Sequence, residues 1–305
     1  MKIYINREPK SGPWGGGNKT VTKLVNHLRH NGHNVVFSLK ESDIDIIFCF
    51  DPRSNENGEW YRDFLQYKRD HGCKIVQRVG DLGTHGKPEL TVLVKKSIEY
   101  SDFLIFPSEW AKDWIGYNKH NCEVVHNAPL PIYHKFKSNN FQPKIRLITH
   151  HWSTNPKKGF DFYKHLDDYI GSNEGIEFTY IGRLPDGFIL ENSTYIEATG
   201  DNQRLASMLS SSDIYVTASI EEAGANHVLE AIAAGLPILY HEDGGSIADY
   251  CTNYGLPFDN IDNFLTSLED MLTSYEDYKN KVMKYDSTID SVVEKYGEIL
   301  CNIQK

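Results

Sequence analysis

Cysteine pairs, long apolar runs and a surplus of basic residues are all missing from this 305-residue chain. Its five cysteines are scattered and form no C-x-x-C motif, which argues against a disulfide framework and against a zinc knuckle. No apolar run approaches the roughly 18 residues that a membrane-spanning helix needs. The first ten residues lack the apolar stretch of a signal peptide, so we expect a cytoplasmic protein.

The net charge of −10 disfavours a nucleic-acid-binding protein, because such binding depends on neutralising phosphates. The charge is unevenly divided: residues 1–142 carry 20 basic and 16 acidic side chains, a net +4, and residues 143–305 carry 12 and 26, a net −14. We therefore expect the first half to face an anionic acceptor, such as an acidic glycan or a lipid phosphate, with peripheral contact to a membrane surface. The alternative is a scattered excess that only maintains solubility.

Short apolar segments rich in β-branched residues alternate with helical patterns along most of the chain. This alternation predicts an α/β protein with parallel sheets that are covered on both faces. The segments with strand character are 2–6, 34–39, 44–50, 74–79, 103–106, 123–127, 145–150, 177–182, 194–199, 213–217 and 237–241.

Two domains are expected from the length and from one polar segment. The stretch 139–144 contains Pro143 and no periodic apolar pattern, so it is interpreted as the linker between a Rossmann-like domain at 1–138 and a second one at 145–285. The remainder, 286–305, has a continuous apolar face and predicts a terminal helix. The architecture predicted is therefore two doubly wound domains with a cleft between them.

A glycine-rich loop precedes the first amphipathic helix. Gly15, Gly16 and Gly17 allow backbone N–H groups to approach an anion at the helix N-terminus. The loop has neither the G-K-[ST] ending of a Walker A motif nor the G-x-G-x-x-G spacing. Contact with a phosphate or a sugar and a simple tight turn both remain open.

A second candidate is the segment SIEEAGANHVLEAIAAGLPILY at 219–240. Glu222 precedes a helix that contains Glu230, and the two carboxylates are about 10 Å apart along the helix axis, with the positive helix N-terminus between them. That span suits a nucleotide-sugar, with one carboxylate on sugar hydroxyls and the other on the ribose. The alternative is that Glu222 caps the helix and that Glu230 is a solvated surface residue.

The same segment resembles the E-x7-E signature of glycosyltransferase family 4, a family of retaining enzymes. Three further stretches are similar to that family in the expected order: GGGNKTVTKLVNHLRHNGHNVVF, VVHNAPL at 124–130 and NPKKGFDF. The resemblance covers roughly residues 1–260. It implies the GT-B fold, in which two Rossmann-like domains face a donor–acceptor cleft, and a C-terminal helix that crosses back to the first domain.

The resemblance also implies roles for individual residues. Glu222 would bind the hydroxyls of the donor sugar and Glu230 the ribose, while amides near Asn226 and His227 would meet the diphosphate. Lys158 would neutralise the leaving phosphate.

One position departs from the family pattern. The arginine that commonly stands five residues before the lysine is Ser153 here, so Lys157, Arg183 or the glycine-rich loop would have to replace it.

Residues at other predicted strand ends are weaker candidates. Thr199 and Arg204 follow one strand of the second domain and could border the base, and Asp81 and His85 follow a strand of the first domain and could face the acceptor. His150-His151-Trp152 also ends a strand and could line the cleft.

A metal site is not expected. Asp43 and Asp45 form a D-x-D pattern, but it precedes a buried strand instead of following one, and no other ligand cluster is evident.

The predicted activity is the metal-independent transfer of a sugar from a nucleotide-diphosphate donor, such as a UDP- or GDP-sugar, to a glycan or lipid-linked acceptor. Retention at the anomeric carbon follows from the resemblance alone, and no cofactor is expected. The alternatives are a sugar-nucleotide epimerase or a phosphorylase on the same fold, or a carbohydrate-binding relic without activity.

Overall fold

A computed structural model of the chain describes residues 1–10, 16–137 and 144–303. Gly15 and all but the last residue of the predicted linker therefore lie outside the described residues. The chain divides into two compact units: unit 1 comprises Met1–Asn127 together with Ile289–Lys305, and unit 2 comprises Ala128–Thr288.

Twelve strands and eleven α-helices are described. The strands are β1 (Lys2–Ile5), β2 (Asn34–Val36), β3 (Ile46–Cys49), β4 (Lys74–Arg78), β5 (Phe103–Phe106), β6 (Cys122–Val124), β7 (Ile145–His151), β8 (Ile176–Gly182), β9 (Thr194–Glu197), β10 (Ile214–Thr217), β11 (Ile238–His241) and β12 (Gly255–Phe258). The α-helices are α1 (Gly16–His30), α2 (Tyr61–His71), α3 (Pro88–Ser97), α4 (Glu109–Ile115), α5 (Phe160–Ile170), α6 (Asn202–Ser210), α7 (Asn226–Ala233), α8 (Ser246–Cys251), α9 (Ile261–Thr273), α10 (Tyr275–Met283) and α11 (Ile289–Ile303). Short 3₁₀ helices cover Ile98–Tyr100, Pro131–Lys135 and Pro156–Lys158.

Unit 1 contains a six-stranded sheet in the order β2-β1-β3-β4-β5-β6, and every strand pair in it is parallel. The strands are short and apolar because the sheet is covered on both faces; all four residues of β3 are buried. The terminal helix α11 packs on α1 within this unit. Its buried face includes Val292, Tyr296 and Leu300, at the spacing of one helix face.

Unit 2 contains a second parallel sheet in the order β12-β11-β10-β7-β8-β9. Alternate residues of β10 enter different apolar clusters: Ile214 and Val216 pack with residues of α5 and α9, whereas Tyr215 packs with residues of α6 and α7. Because successive side chains of a strand point to opposite faces, both faces of this sheet are covered, as the sequence predicts.

The sequence does not predict β12. Its residues GLPF contain a glycine and a proline, which are unfavourable in a central strand, but β12 is an edge strand, where proline is tolerated. Gly255 is required there because a Cβ would lie 1.9 Å from the Ile238 carbonyl oxygen of the neighbouring strand.

The two units meet in the sequence at Asn127–Ala128, earlier than the predicted boundary at 138. Residues 128–137 pack in unit 2 because the 3₁₀ helix Pro131–Lys135 places Tyr133 in the cluster formed by α6 and α7, where its side chain is fully buried. The polar composition of 139–144 predicts a linker, but it does not indicate that Tyr133 packs in unit 2.

Candidate functional site

The carboxyl ends of β7 and β10 form the point of unit 2 at which the strand order reverses. These two strands pair directly, with Tyr215 opposite Ile148, and the later strands extend away from them in opposite directions. In open α/β sheets this position leaves a crevice in which ligands bind. The loops after β7 and β10 bring the candidate residues of unit 2 together.

Lys158 is fixed by a tight turn after β7. The side chain of Asn155 accepts a hydrogen bond from the Lys157 amide, which caps the 3₁₀ helix Pro156–Lys158. Gly159 then has φ of 81°, and a Cβ there would lie 2.4 Å from the Cβ of Ala218, so only glycine lets this turn lie against the end of β10. The turn leaves Lys158 buried, with 8% of its surface exposed.

Glu222 is held by backbone hydrogen bonds on both sides. Its amide donates to the Gly244 carbonyl at 3.2 Å, and its carbonyl accepts from the Ser246 amide at 2.8 Å. Its carboxylate accepts a hydrogen bond from Lys158 Nζ. Since both side chains are largely buried, at 11% and 15% exposure, this ion pair is a fixed element of the site.

The helix α7 begins four residues after Glu222, with Asn226 and His227 in its first turn. Ala225 is the N-cap residue and makes no side-chain cap hydrogen bond, and the first turn contains no acidic residue. The positive end of the helix dipole is therefore not compensated by a side chain of its own first turn. Because Ala225 holds the N-cap position, Glu222 is not the N-cap residue of α7.

Glu230 lies one turn further along α7 and is not a solvated surface residue. Its carboxylate is 2.9 Å from His150 Nε2, and the two side chains are 12% and 5% exposed. Burial, and then the charge of Glu230, raises the pKa of the neighbouring Tyr133 far above its usual value, so that its hydroxyl stays protonated. The structure thus surrounds this carboxylate with neutral and basic groups.

Tyr215 connects the two ends of this site, and no sequence pattern indicates its role. Its hydroxyl lies 3.0 Å from His227 Nδ1 and 3.2 Å from the His150 amide nitrogen. His227 Nε2 in turn lies 3.9 Å from the Glu222 carboxylate. Tyr215 thereby orients His227 towards Glu222. A buried tyrosine within a strand has no sequence signal that distinguishes it from an ordinary core residue.

The predicted base-side residues are only partly brought together. Thr199 lines a small cavity with His150, Trp152 and others, whereas Arg204 is exposed and its side chain makes no described contact. The guanidinium of Arg183 lies over the exposed ring of Trp152, 5.7 Å from its centre. Arg183 and Trp152 are therefore the accessible cationic and aromatic groups beside this cavity.

The position of the missing family arginine is occupied by exposed Ser153, whose hydroxyl accepts a hydrogen bond from the Asn155 amide. Of the candidate substitutes, Lys157 pairs with Glu221 at 2.5 Å. The described ion pairs of Glu222 are with Lys158 and, at 3.9 Å, with His227.

Several predicted residues belong to unit 1 instead. Gly16 and Gly17 begin α1, as predicted for the glycine-rich loop. Asp81 accepts hydrogen bonds from the Gly83 amide and from Lys87 Nζ, 2.8 Å away, in a loop that also contains His85.

The D-x-D pair has a structural explanation. The Asp45 carboxylate accepts a hydrogen bond from the Lys2 amide at 2.7 Å, and Asp43 has φ of 57°, in the left-handed region. Within the described parts of the chain, no group of three or more His, Cys, Asp or Glu residues is arranged to hold a metal ion.

Two parallel six-stranded sheets with flanking helices, found together over one chain, define the GT-B fold. Residues 189–285, which contain Glu222, α7 and Glu230, match the family model of glycosyl transferases group 1. No curated protein sequence matches the chain.

Solved structures match nearly the whole chain. Sucrose-phosphate synthase from Thermosynechococcus elongatus is 11% identical, with a TM-score of 0.69 and 99% of each chain covered. WaaG, a glycosyltransferase involved in lipopolysaccharide biosynthesis, is 14% identical, with a TM-score of 0.64 and coverage of 98% of this chain and 99% of WaaG. HepE from Anabaena, solved with UDP and glucose, is 12% identical, with a TM-score of 0.64 and coverage of 99% and 97%.

No helix in the described segments is both long enough and apolar enough to cross a bilayer.

Proposed function

We propose that this protein is a glycosyltransferase that moves a sugar from a nucleoside-diphosphate donor to an acceptor hydroxyl. The observation that carries the proposal is the arrangement at the strand-order reversal of unit 2, where the Lys158–Glu222 pair, the start of α7 and the Glu230–His150 pair follow one another. The match of residues 189–285 to glycosyl transferases group 1 supports the same chemistry.

The donor would lie along this arrangement. Glu230 would accept hydrogen bonds from ribose hydroxyls. His150, which is hydrogen-bonded to the Glu230 carboxylate, would hold that carboxylate in position. The first-turn amides of α7, at Asn226 and His227, would bind the diphosphate, because a helix N-terminus favours anions. Glu222 would accept hydrogen bonds from the hydroxyls of the sugar.

Lys158 would act on the leaving group. In the unliganded arrangement its ammonium group is held by Glu222, so the cation is already in place when the donor binds. As the glycosidic bond breaks, negative charge grows on the diphosphate, and a preorganised cation stabilises that charge more than it stabilises the ground state. Together with the dipole of α7, Lys158 would serve where other enzymes use a metal ion, so we propose metal-independent transfer without a cofactor.

Retention at the anomeric carbon belongs to the same proposal. With the leaving diphosphate held on one face, an acceptor hydroxyl that attacks from that face requires no protein nucleophile. A UDP- or GDP-sugar as donor and a glycan or lipid-linked acceptor remain predictions. So do the cytoplasmic location and the peripheral membrane contact of the N-terminal region, which binding to anionic liposomes at low salt would test.

The test is the release of nucleoside diphosphate from a panel of UDP-, GDP- and ADP-sugars, with a mixture of glycan and lipid-linked acceptors and with excess chelator. We expect release with at least one donor, and product with the anomeric configuration of that donor. A donor that is isomerised without transfer would indicate an epimerase and would contradict the proposal. Absence of both release and nucleotide binding would contradict it as well.

A further inference from the structure

Arg78, the last residue of β4, is a buried cation in unit 1. Only 7% of its surface is exposed. Removing a guanidinium from water is costly unless a carboxylate or another anion compensates the charge. The groups around Arg78 therefore indicate whether its charge is neutralised within the protein or is available to bind a ligand.

All the described partners of Arg78 are neutral. Its Nε donates to the Tyr296 hydroxyl and its Nη2 donates to Asn127 Oδ1, both at 3.1 Å. The guanidinium also lies over the ring of Phe50, 4.9 Å from the ring centre. No carboxylate of the described segments forms an ion pair with it.

Two acidic residues at the same edge of the sheet are paired with other cations. Asp51, which follows β3, binds Arg53 at 2.6 Å, and Asp81, which follows β4, binds Lys87 at 2.8 Å. These two carboxylates, although close to Arg78 in the sequence, form no described ion pair with it.

Gly80 leaves room for the third nitrogen of this guanidinium. A Cβ at that position would lie 1.9 Å from Arg78 Nη1, so any other residue would displace the side chain. No described residue accepts a hydrogen bond from Nη1. The side chain is therefore fixed by two of its nitrogens, while the third remains available.

The N-terminus of α1 lies beside the same aromatic ring. A Cβ on Gly17 would be 3.7 Å from Phe50 Cε1, so the first turn of α1 lies close to the ring over which the guanidinium stands. That turn contains no acidic residue, and α1 is 15 residues long, so its dipole adds positive potential at this end.

We propose that Arg78, together with the first turn of α1, binds an oxyanion, either a phosphate or a carboxylate group of a substrate. The identification of the ligand as a substrate group rests on the proposed function; the binding of an oxyanion does not. The group belongs to an anionic acceptor, whose phosphate or carboxylate a guanidinium can bind through two of its N–H groups.

The test measures the melting temperature of the full chain in sodium phosphate and in sodium chloride of the same ionic strength. Because the proposed donor site in unit 2 would also bind phosphate, the comparison is made in a Lys158→Met background. A ligand that binds only the folded chain raises its melting temperature, and we expect a phosphate-specific rise of about 2 °C.

Two variants and one control connect that rise to the proposed site. Arg78→Met removes the charge, and Gly80→Ala leaves the charge but displaces the guanidinium; we expect both to abolish the rise. Arg53→Met removes an exposed guanidinium that Asp51 already neutralises, so the rise should remain. An equal rise in all three, or no rise in the parent chain, would overturn the proposal. This result is independent of whether the protein transfers sugars.

A second arm tests whether the oxyanion is separate from the donor. In chains with Lys158 intact, the difference in phosphate-specific rise between the parent and Arg78→Met is measured with and without saturating UDP. Persistence of the difference is expected for a separate anionic group, as an acceptor would carry. Loss of the difference in the presence of UDP would overturn the assignment to an acceptor.

Discussion

The two units have similar sheets, but the basic side chains at the carboxyl ends of their strands have different partners. In unit 2, Lys157 and Lys158 at the strand-order reversal are each paired with a carboxylate. In unit 1, the described partners of Arg78, at the carboxyl end of β4, are neutral groups. The strand order reverses between β7 and β10 in unit 2 and between β1 and β3 in unit 1, and β4 lies next to β3.

This difference indicates two kinds of ligand. A site in which cations and carboxylates alternate can bind both a diphosphate and the hydroxyl groups on either side of it, as a nucleotide-sugar requires. A buried guanidinium without a described carboxylate partner binds an anion more strongly than a neutral hydroxyl group. The proposals place the donor in unit 2 and an anionic group in unit 1, and the following variants test this placement.

The largest effect is expected from Lys158→Met. If Lys158 stabilises charge that develops on the leaving group, the turnover number should fall by about 100- to 1,000-fold, with a smaller change in KM. Steady-state kinetics measure both. The control is Lys164→Met, which removes a partly exposed lysine paired with Asp168 on α5. Loss of turnover no larger than in this control would contradict the role of Lys158.

Glu230→Gln should weaken the binding of free nucleoside diphosphate by about 10- to 100-fold, because a hydrogen bond to a charged acceptor is lost. Calorimetric titration measures this affinity directly. Glu242→Gln is the matched control, since Glu242 is exposed in the same unit. Glu222→Gln should retain nucleotide affinity and lose transfer; if both glutamate variants weaken the nucleotide equally, the assignment of ribose and sugar to different carboxylates is wrong.

A smaller change is expected from His150→Leu, because Glu230 remains and loses only the partner that orients it. Nucleotide affinity should fall by roughly threefold to tenfold. The same titration applies, with exposed His165→Asn on α5 as the control. An effect larger than that of Glu230→Gln would mean that His150 contacts the ligand itself and does not position the carboxylate.

The smallest effect concerns Lys279 on α10, which donates to the Gly235 carbonyl at 2.6 Å. Burial lowers the pKa of Lys279 from 10.5 to about 8. The unfolded chain therefore binds more protons between pH 8 and pH 10.5, and this residue makes the fold more stable as the pH rises through that window.

Removing the charge of Lys279 should therefore stabilise the folded chain more at neutral pH than at alkaline pH. The melting temperature of Lys279→Met minus that of the parent should be roughly 1–3 °C more positive at pH 7 than at pH 10. Thermal unfolding at both values measures this, with exposed Lys284→Met as the control. A difference that does not change with pH would show that burial does not perturb this lysine.

The sequence predicts the regular elements well because periodicity reports burial. Segments such as 74–79 and 103–106 are strands within a residue or so of their predicted limits. Sequence-based prediction is wrong where tertiary packing determines the structure. Residues 128–137 belong to unit 2 because Tyr133 packs there, and β12 forms from a segment with unfavourable composition.

For the candidate site, spacing along a helix predicts Glu222 and Glu230, and the family resemblance implies Lys158. Neither reveals which groups hold these residues. Tyr215 lies within a strand and resembles any buried aromatic residue in the sequence. In the structure its hydroxyl is hydrogen-bonded to His227 of α7. Arg78 likewise ends an ordinary strand, and its lack of a carboxylate partner is a three-dimensional property.

The most direct test of the assignment of the donor to unit 2 is amide hydrogen exchange of the full chain with and without the nucleotide-sugar that raises its melting temperature most. Bound ligand slows the exchange of amides that it contacts. We predict protection in peptides that cover 150–160 and 219–230, which contain Lys158, Glu222 and the first turn of α7. Protection confined to other segments, or no protection by any nucleotide-sugar, would contradict the account.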